Sequence, residues 1–185
     1  IDFTAAQTAP GSTIACTVTN ARRPTVTLTK ISNGGTGGFT FTGTNGWASQ
    51  TITTTVAGTG VTGATQTLTA VSTATTITET IPAGWQLVGV TCTGTGGGTQ
   101  PTVNTTTGAI DFTAAQTAPG SAIACTVTNA RRPTVTLTKV SNGGTGVFTF
   151  TGSNGWASQT ITTGAIGAPG TAGATQTLTA AGTAT

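Results

Sequence analysis

This chain contains a long internal repeat. The segment from Ile1 to Lys30 returns almost unchanged from Ile110 to Lys139, which gives a period of 109 residues. The match continues through NGWASQTITT, at Asn45 and again at Asn154, and the second copy carries one inserted residue near Gly164. Such a period is too long for one turn of a solenoid and is typical of whole domains in tandem. We therefore expect the chain to begin and end inside repeats.

The sequence Asn-Ala-Arg-Arg-Pro, at 20–24 and 129–133, marks the expected domain boundaries. Proline fixes φ and cannot donate to a strand ladder, and the paired arginines interrupt an otherwise nearly uncharged sequence. We expect residues 1–21 to be the last strand of a preceding repeat, 22–130 a complete repeat, and 131–185 the first half of the following one. A short linker that holds proline favours a stiff connection.

The composition predicts an all-β fold. Threonine is the most frequent residue, only 5% of the residues are charged, and good helix formers are scarce. β-Branched residues favour strands, and the apolar residues alternate with threonine at a period of two. Seven or eight short strands in one repeat are typical of an antiparallel β-sandwich of immunoglobulin-like type. The predicted strands are Thr25–Lys30, Phe39–Thr42, Ser49–Thr54, Thr65–Ala70, Thr75–Ile81, Gln86–Thr91, Ile110–Phe112 and Ala122–Asn129.

The same composition argues against several functions. The chain has no histidine, three acidic residues and three cysteines. A serine-protease-type triad, a metal site or a pair of catalytic carboxylates has almost nothing to be built from, so we expect no enzymatic turnover, metal or cofactor. The net charge of +3 comes from two Arg-Arg pairs and two lysines without interleaved aromatics, which does not indicate nucleic-acid binding. No apolar run approaches the ~20 residues of a membrane span.

Three polar residues share the parity of the buried apolar ones. Lys30 follows Val26 and Leu28 on the first strand. Glu79 lies between Ile77 and Ile81. On the last strand, Asn129 follows Cys125 and Val127. Burial of two charged groups costs several kcal/mol unless they are paired or chemically consumed. The sequence therefore predicts a compensating interaction in the core.

A covalent reaction is one such compensation. A desolvated Lys30 is a neutral nucleophile that could attack the side-chain amide of Asn129, while a protonated Glu79 polarises the amide until ammonia leaves. The alternatives are a buried Lys30–Glu79 ion pair without a bond, or unrelated exposed side chains. In the flanking fragments, Asn20 and Lys139 are the corresponding residues, and we expect them to serve neighbouring repeats.

The cysteines point to a disulfide. Cys16 is the repeat equivalent of Cys125, whereas the equivalents of Cys92 fall outside the chain, so each repeat contains two. Cys92 shares its parity with Val88 and Val90, and Cys125 points inward. We expect a Cys92–Cys125 disulfide, with Cys16 paired outside the chain, and an oxidising environment; two buried free thiols are the alternative.

The motifs TVTLTK, TITETIPAGW and CTVTN resemble those of the B-type collagen-adhesin, or SpaA-like prealbumin-fold, domains of bacterial surface proteins and pilins. The resemblance covers one full repeat and both fragments. It implies that Lys30, Glu79 and Asn129 occupy the positions of that family's isopeptide-forming residues, in the expected chain order. The complete repeat is longer than usual for the family and contains two cysteines.

Three functional classes follow. The first is a structural extracellular repeat protein, a stiff surface stalk, adhesin shaft or filament, whose partners are further copies of the repeat and a host or surface ligand bound through other domains. The second is a threonine-rich module that binds ice or polysaccharide, and the third is a cross-β amyloid. We expect Trp47 and Trp85 to pack in the core or in turns rather than to form a sugar platform.

Overall fold

A computed structural model describes residues 1–183 as an all-β protein with one short 3-10 turn at Gly96–Gly98. No helix in this range is long and apolar enough to cross a membrane. The strands of the first repeat are β1 Thr25–Asn33, β2 Gly37–Gly43, β3 Gln50–Thr54, β4 Val61–Thr62, β5 Gln66–Thr67, β6 Thr75–Thr80, β7 Trp85–Thr93, β8 Thr102–Asn104, β9 Ala109–Phe112 and β10 Ala122–Arg131. Those that follow are β11 Thr134–Val135, β12 Thr138–Lys139, β13 Gly146–Phe150, β14 Gln159–Thr163, β15 Thr171–Ala172 and β16 Gln176–Thr177.

The first repeat is a β-sandwich, as the alternation predicts. One sheet has the strand order β4-β1-β10-β7, with β5 also paired to β1, and the other has the order β3-β2-β6-β9-β8. Their inward side chains form one hydrophobic core. The most deeply buried members are Val26, Leu28, Phe39, Phe41, Leu68, Ile77, Ile110, Ile123 and Val127. Along β1 every second residue is buried while the threonines between them are half-buried, so threonine covers the outer face.

The pairing of the first and last strands corrects the expectation of a purely antiparallel sandwich. Strands β1 and β10 run parallel, in a register that places Thr25 opposite Ala122 and Lys30 opposite Val127. The alternation of side chains predicts which face is buried but carries no information on strand direction. Parallel neighbours need a long connection between them, and here almost the whole repeat provides it.

The predicted strand Thr65–Ala70 is another correction. Only Gln66–Thr67 is a strand there, and Val61–Thr62 forms a second short pair with β1. The Gln66 side chain bonds both the N–H and the C=O of Ala48, at 2.7 and 2.9 Å, in place of a continued backbone ladder. Leu68 is nevertheless fully buried, and its N–H donates to the Pro24 carbonyl. The apolar pattern therefore reports burial correctly where it overestimates the strand.

The flanking segments differ from the complete repeat. Residues 1–24 contain no strand, and nearly all of them are exposed. The same sequence forms β9 and β10 later in the chain, where β1 and β7 supply partners for β10. The second copy forms three two-stranded sheets, β11–β16, β12–β15 and β13–β14. Strand β10 continues to Arg131, one residue beyond the boundary expected at residue 130.

Candidate functional site

The sandwich brings Lys30, Glu79 and Asn129 into one buried cluster. Lys30 on β1 and Asn129 on β10 belong to the same sheet, and Glu79 on β6 faces them from the other sheet. The three residues are at most 1% exposed. Each occupies the inward parity of its strand, so alternation places all three in the core, and the pairing of the strands brings them together there.

One carboxylate oxygen joins the three side chains. Lys30 Nζ lies 3.4 Å from Glu79 Oε1, and Asn129 Nδ2 donates to the same oxygen at 3.0 Å. Lys30 Nζ also donates to the backbone carbonyls of Ile31 and Val127, at 3.1 and 3.2 Å. Three oxygen atoms thus hold the lysine nitrogen, and one of them also accepts the hydrogen bond of the Asn129 amide.

Two atoms of the cluster are left without partners. Glu79 Oε2 and Asn129 Oδ1 are buried and form no hydrogen bond with any described residue. A buried acceptor without a donor costs about 1 to 3 kcal/mol. A proton on the Glu79 carboxyl group would supply a donor at this position.

Burial controls the ionisation of both titratable groups. Desolvation lowers the pKa of Lys30 from its ordinary value of 10.5 to about 8, although the nearby Glu79 charge opposes the change. Desolvation also raises the pKa of Glu79, against the influence of Lys30 and the hydrogen bond from Asn129. Both shifts favour the uncharged forms, an amine facing a carboxylic acid.

Phe39 is a member of the site that the sequence reasoning missed. Its ring centroid lies 4.3 Å from Lys30 Nζ, and the Trp85 ring packs edge-on against it with centroids 5.2 Å apart. The inward parity of Phe39 on β2 indicates a core residue but not its contact with Lys30. Trp85 and Trp47 are both buried, 9% and 6% exposed, which confirms the expected packing role.

Gly108 allows the β8–β9 hairpin to approach the strand that carries the acid. It adopts a φ of +80°, and a Cβ at this position would collide with the backbone carbonyl oxygen of Glu79. Its own carbonyl accepts the Glu79 N–H at 3.0 Å. Glycine is therefore required here for two reasons, its left-handed conformation and the close backbone contact.

A β-bulge lies beside Asn129. The pairing of β10 with β7 shifts between Thr128, opposite Gly89, and Asn129, opposite Leu87. The shift corrects the parity expected for β7, because Val88 is 54% exposed while Leu87 and Cys92 are buried. Bulges re-aim side chains, and strict alternation cannot predict them.

The expected disulfide between Cys92 and Cys125 is confirmed. The two residues are directly opposite each other on β7 and β10, with a Cα–Cα distance of 4.1 Å. Closure of a loop with a sequence separation of 33 stabilises the fold by about 3 to 4 kcal/mol in the chain-entropy description. Cys16 is exposed and forms no disulfide within residues 1–183.

The corresponding residues of the fragments lie outside this cluster. Asn20 is exposed. Lys139 is half-buried, its Nζ donates to the Val140 carbonyl at 2.8 Å, and it lies 4.3 Å from the centre of the Phe148 ring. That Asn20 and Lys139 form the corresponding cross-links of the neighbouring repeats stays a prediction.

No group of three or more histidine, cysteine, aspartate or glutamate side chains suited to a metal ion occurs in the described part of the chain. The cluster is instead suited to chemistry between its own members. It holds an amine and a carboxamide against the same carboxyl oxygen within an apolar core.

Comparison with protein families gives a match to a SpaA-type model described as a prealbumin-like fold domain. The match covers residues 26–131 and, in the second copy, residues 135–185. Comparisons with the curated proteins and with the solved structures found no match.

Proposed function

Because the chain belongs to the family of SpaA-like prealbumin-fold domains, whose role is structural, we propose that it is a segment of an extracellular stalk, adhesin shaft or filament stabilised by intramolecular Lys-Asn isopeptide bonds. The observation that carries the proposal is the contact of one buried Glu79 oxygen with both Lys30 Nζ and Asn129 Nδ2.

The proposed reaction occurs once per repeat. The neutral Lys30 amine attacks Cγ of Asn129, a C–N bond to Nζ forms, and the bond from Cγ to Nδ2 breaks. The protonated Glu79 gives its proton to the departing nitrogen and takes the proton lost by Nζ, so that ammonia leaves and Glu79 ends protonated, as it began. With the Asn129 amide in its other orientation, a protonated Glu79 donates to Oδ1 and polarises the carbonyl.

The strand arrangement supports a mechanical role. Strands β1 and β10 are parallel neighbours, so tension that enters at Thr25 and leaves at Arg131 loads their hydrogen bonds in shear. A bond between Lys30 and Asn129 would carry this tension directly and shield the strands between them. The disulfide ties β10 to β7 within the same sheet.

The outer threonines support the structural role over the ice- or polysaccharide-binding alternative. Their hydroxyl groups pair across strands, as in Thr27–Thr65 at 2.7 Å and Thr40–Thr51 at 2.8 Å. Hydroxyl groups that bond to each other stabilise the sheet and are less available to an external surface.

The intact mass of the reduced and alkylated protein tests the reaction. We expect the wild type to weigh one ammonia less than its sequence requires. Glu79→Ala, Lys30→Ala and Asn129→Ala should each restore the full mass of their own sequence. The matched variants Lys139→Ala and Asn20→Ala should keep the deficit, and a wild type already at full mass would refute the cross-link.

A further inference from the structure

Hydrogen bonds hold the junction between the two sequence copies on both sides. The Arg132 N–H donates to the Gly84 carbonyl of the first repeat at 2.8 Å, and the carbonyl of the next residue, Pro133, accepts the Leu178 N–H of the second copy at 2.9 Å. Successive residues are therefore bonded to different units. The linker itself is part of both folds.

A third hydrogen bond joins the units away from the linker. Gln86 Oε1, at the start of β7, accepts the N–H of Ala181 at 3.1 Å. Together with the two linker bonds it gives three hydrogen bonds at the junction. A cleft of about 420 Å³ remains beside this contact, lined in part by Pro82, Trp85, Arg132 and Thr179.

The loop that docks on Gln86 is held rigidly by its own unit. Asn154 bonds both backbone groups of Ala180, Oδ1 accepting the N–H and Nδ2 donating to the carbonyl, each at 2.9 Å. With Ala180 satisfied internally, the next N–H along the chain, that of Ala181, is the one directed to the neighbouring unit.

The first repeat presents the same loop. Asn45 bonds the N–H and carbonyl of Ala70 at 2.9 and 3.0 Å, as Asn154 bonds those of Ala180. Val71 is the counterpart of Ala181, and its N–H has no acceptor among the described hydrogen bonds. The two loops thus share the same internal hydrogen bonds. They differ in that the 180–181 loop bonds to Gln86 of the repeat before it, whereas the 70–71 loop has no such bond.

We propose that Gln86 is an inter-repeat latch: the end of each repeat formed by Pro82–Gln86 receives the 180–181 loop of the following repeat, and the 70–71 loop offers the same surface to a repeat in front. The partner is another copy of this repeat in the same chain. The latch does not depend on the isopeptide bond, because none of its hydrogen bonds involves Lys30, Glu79 or Asn129.

Amide hydrogen exchange of the whole 185-residue chain, measured by NMR, tests the latch. In the wild type the Ala181 amide should be protected and the Val71 amide should not. Gln86→Leu, which removes the acceptor, should accelerate exchange at Ala181 about fivefold to tenfold. Gln86→Glu retains an acceptor and should restore protection. The Ala180 amide, bonded to Asn154, is the internal control for folding of the second unit.

The outcomes separate the latch from simple unfolding. Protection of Ala181 that survives Gln86→Leu would overturn the proposal, as would rapid exchange of Ala181 in the wild type while Ala180 is protected. If Gln86→Leu also exposes Ala180, recovery of both amides in Gln86→Glu supports the latch, and failure to recover overturns it.

A longer chain tests whether the latch recurs. Replacing residues 1–21 with a copy of 22–130 should protect the Val71 amide. An unprotected Val71 would restrict the latch to a single junction and contradict its recurrence. Mass measurement on the same samples tests the isopeptide bond separately.

Discussion

The two copies of the repeat have nearly the same sequence through their first halves, but the equivalent lysines Lys30 and Lys139 lie in different environments. Lys30 and Leu28 are fully buried in the first repeat, whereas Lys139 and Leu137 are only half-buried in the second. The second copy ends, within this chain, at the counterpart of Thr75. It therefore lacks counterparts of β6, β7 and β10, the strands that carry Glu79, the disulfide and Asn129.

Several local contacts are nevertheless the same in both copies. The lysine nitrogen lies 4.3 Å from a phenylalanine ring centre in each. A buried Ser–Thr hydroxyl pair also recurs, at 2.6 Å for Ser32–Thr54 and 2.9 Å for Ser141–Thr163. The first half of a repeat thus positions its lysine, and the second half desolvates it and supplies its reaction partners.

Single-molecule pulling under reducing conditions should show the largest difference between the copies. We expect the second copy to extend fully, while the segment between Lys30 and Asn129 stays inextensible because the isopeptide bond carries the tension. Lys30→Arg retains the charge but loses the nucleophile, and should make the first repeat extensible. Lys139→Arg is the matched control and should leave it inextensible. Full extension of the wild-type first repeat would remove the mechanical distinction.

Truncation of the same core position in the two copies should have unequal effects. Leu28→Ala removes a fully buried side chain and should lower the free energy of unfolding by about 2 to 5 kcal/mol. Leu137→Ala, at a half-buried position, should lower it by much less. Denaturant unfolding followed by amide exchange in each copy measures both values. Equal losses would show that the second copy has a core as complete as that of the first.

The pH dependence of stability should reveal whether Lys30 still titrates. In Asn129→Ala, which cannot form the bond, the unfolded chain retains a proton on Lys30 between pH about 8 and 10.5 that the folded chain has released. Stability should therefore increase with pH across this window, by up to a few kcal/mol. The raised pKa of Glu79 has the opposite effect. Above pH 4.5 the folded chain retains a proton on Glu79 that the unfolded chain has released, so stability falls as the pH rises from that value.

In the wild type the proposed cross-link would convert the Lys30 nitrogen to an amide, and we therefore expect the increase to be absent. Denaturant titrations at a series of pH values measure the effect. Adding Lys30→Met to Asn129→Ala should abolish the increase, while adding Lys139→Met should not. An increase of the same size in the wild type would mean that the amine is still free.

The outer threonine pairs should give the smallest effect and no difference between copies. The Thr27–Thr65 and Thr136–Thr175 hydroxyl pairs are exposed and have nearly equal lengths, 2.7 and 2.6 Å. Thr27→Val and Thr136→Val should each change stability by about 0.5 kcal/mol or less, since neither leaves a buried group unsatisfied. Thermal unfolding of the two variants measures this. A large loss in only one copy would show that the outer faces are not equivalent.

Much of the site could be predicted from strand alternation. Lys30, Glu79 and Asn129 share the parity of buried neighbours, and a nearly uncharged chain makes such residues conspicuous. Phe39 was not identified because an inward phenylalanine looks like any other core residue until the position of Lys30 Nζ is known. Gly108 was missed for a similar reason, since its requirement arises from contact with Glu79, which is distant in sequence.

The repeat, the all-β class and the buried faces of most strands could be predicted from local periodicity or from counting, and the same counting favoured a Cys92–Cys125 disulfide over two free thiols. Tertiary structure alone decided the parallel direction of β1 and β10, the bulge that turns Val88 outward, and the meeting of Lys30 and Asn129 at one Glu79 oxygen. It also decided that two identical lysine segments differ in burial. The physical reason is that direction, register and desolvation are set by strands far away in the chain, and a period of two in a single strand carries no information about them.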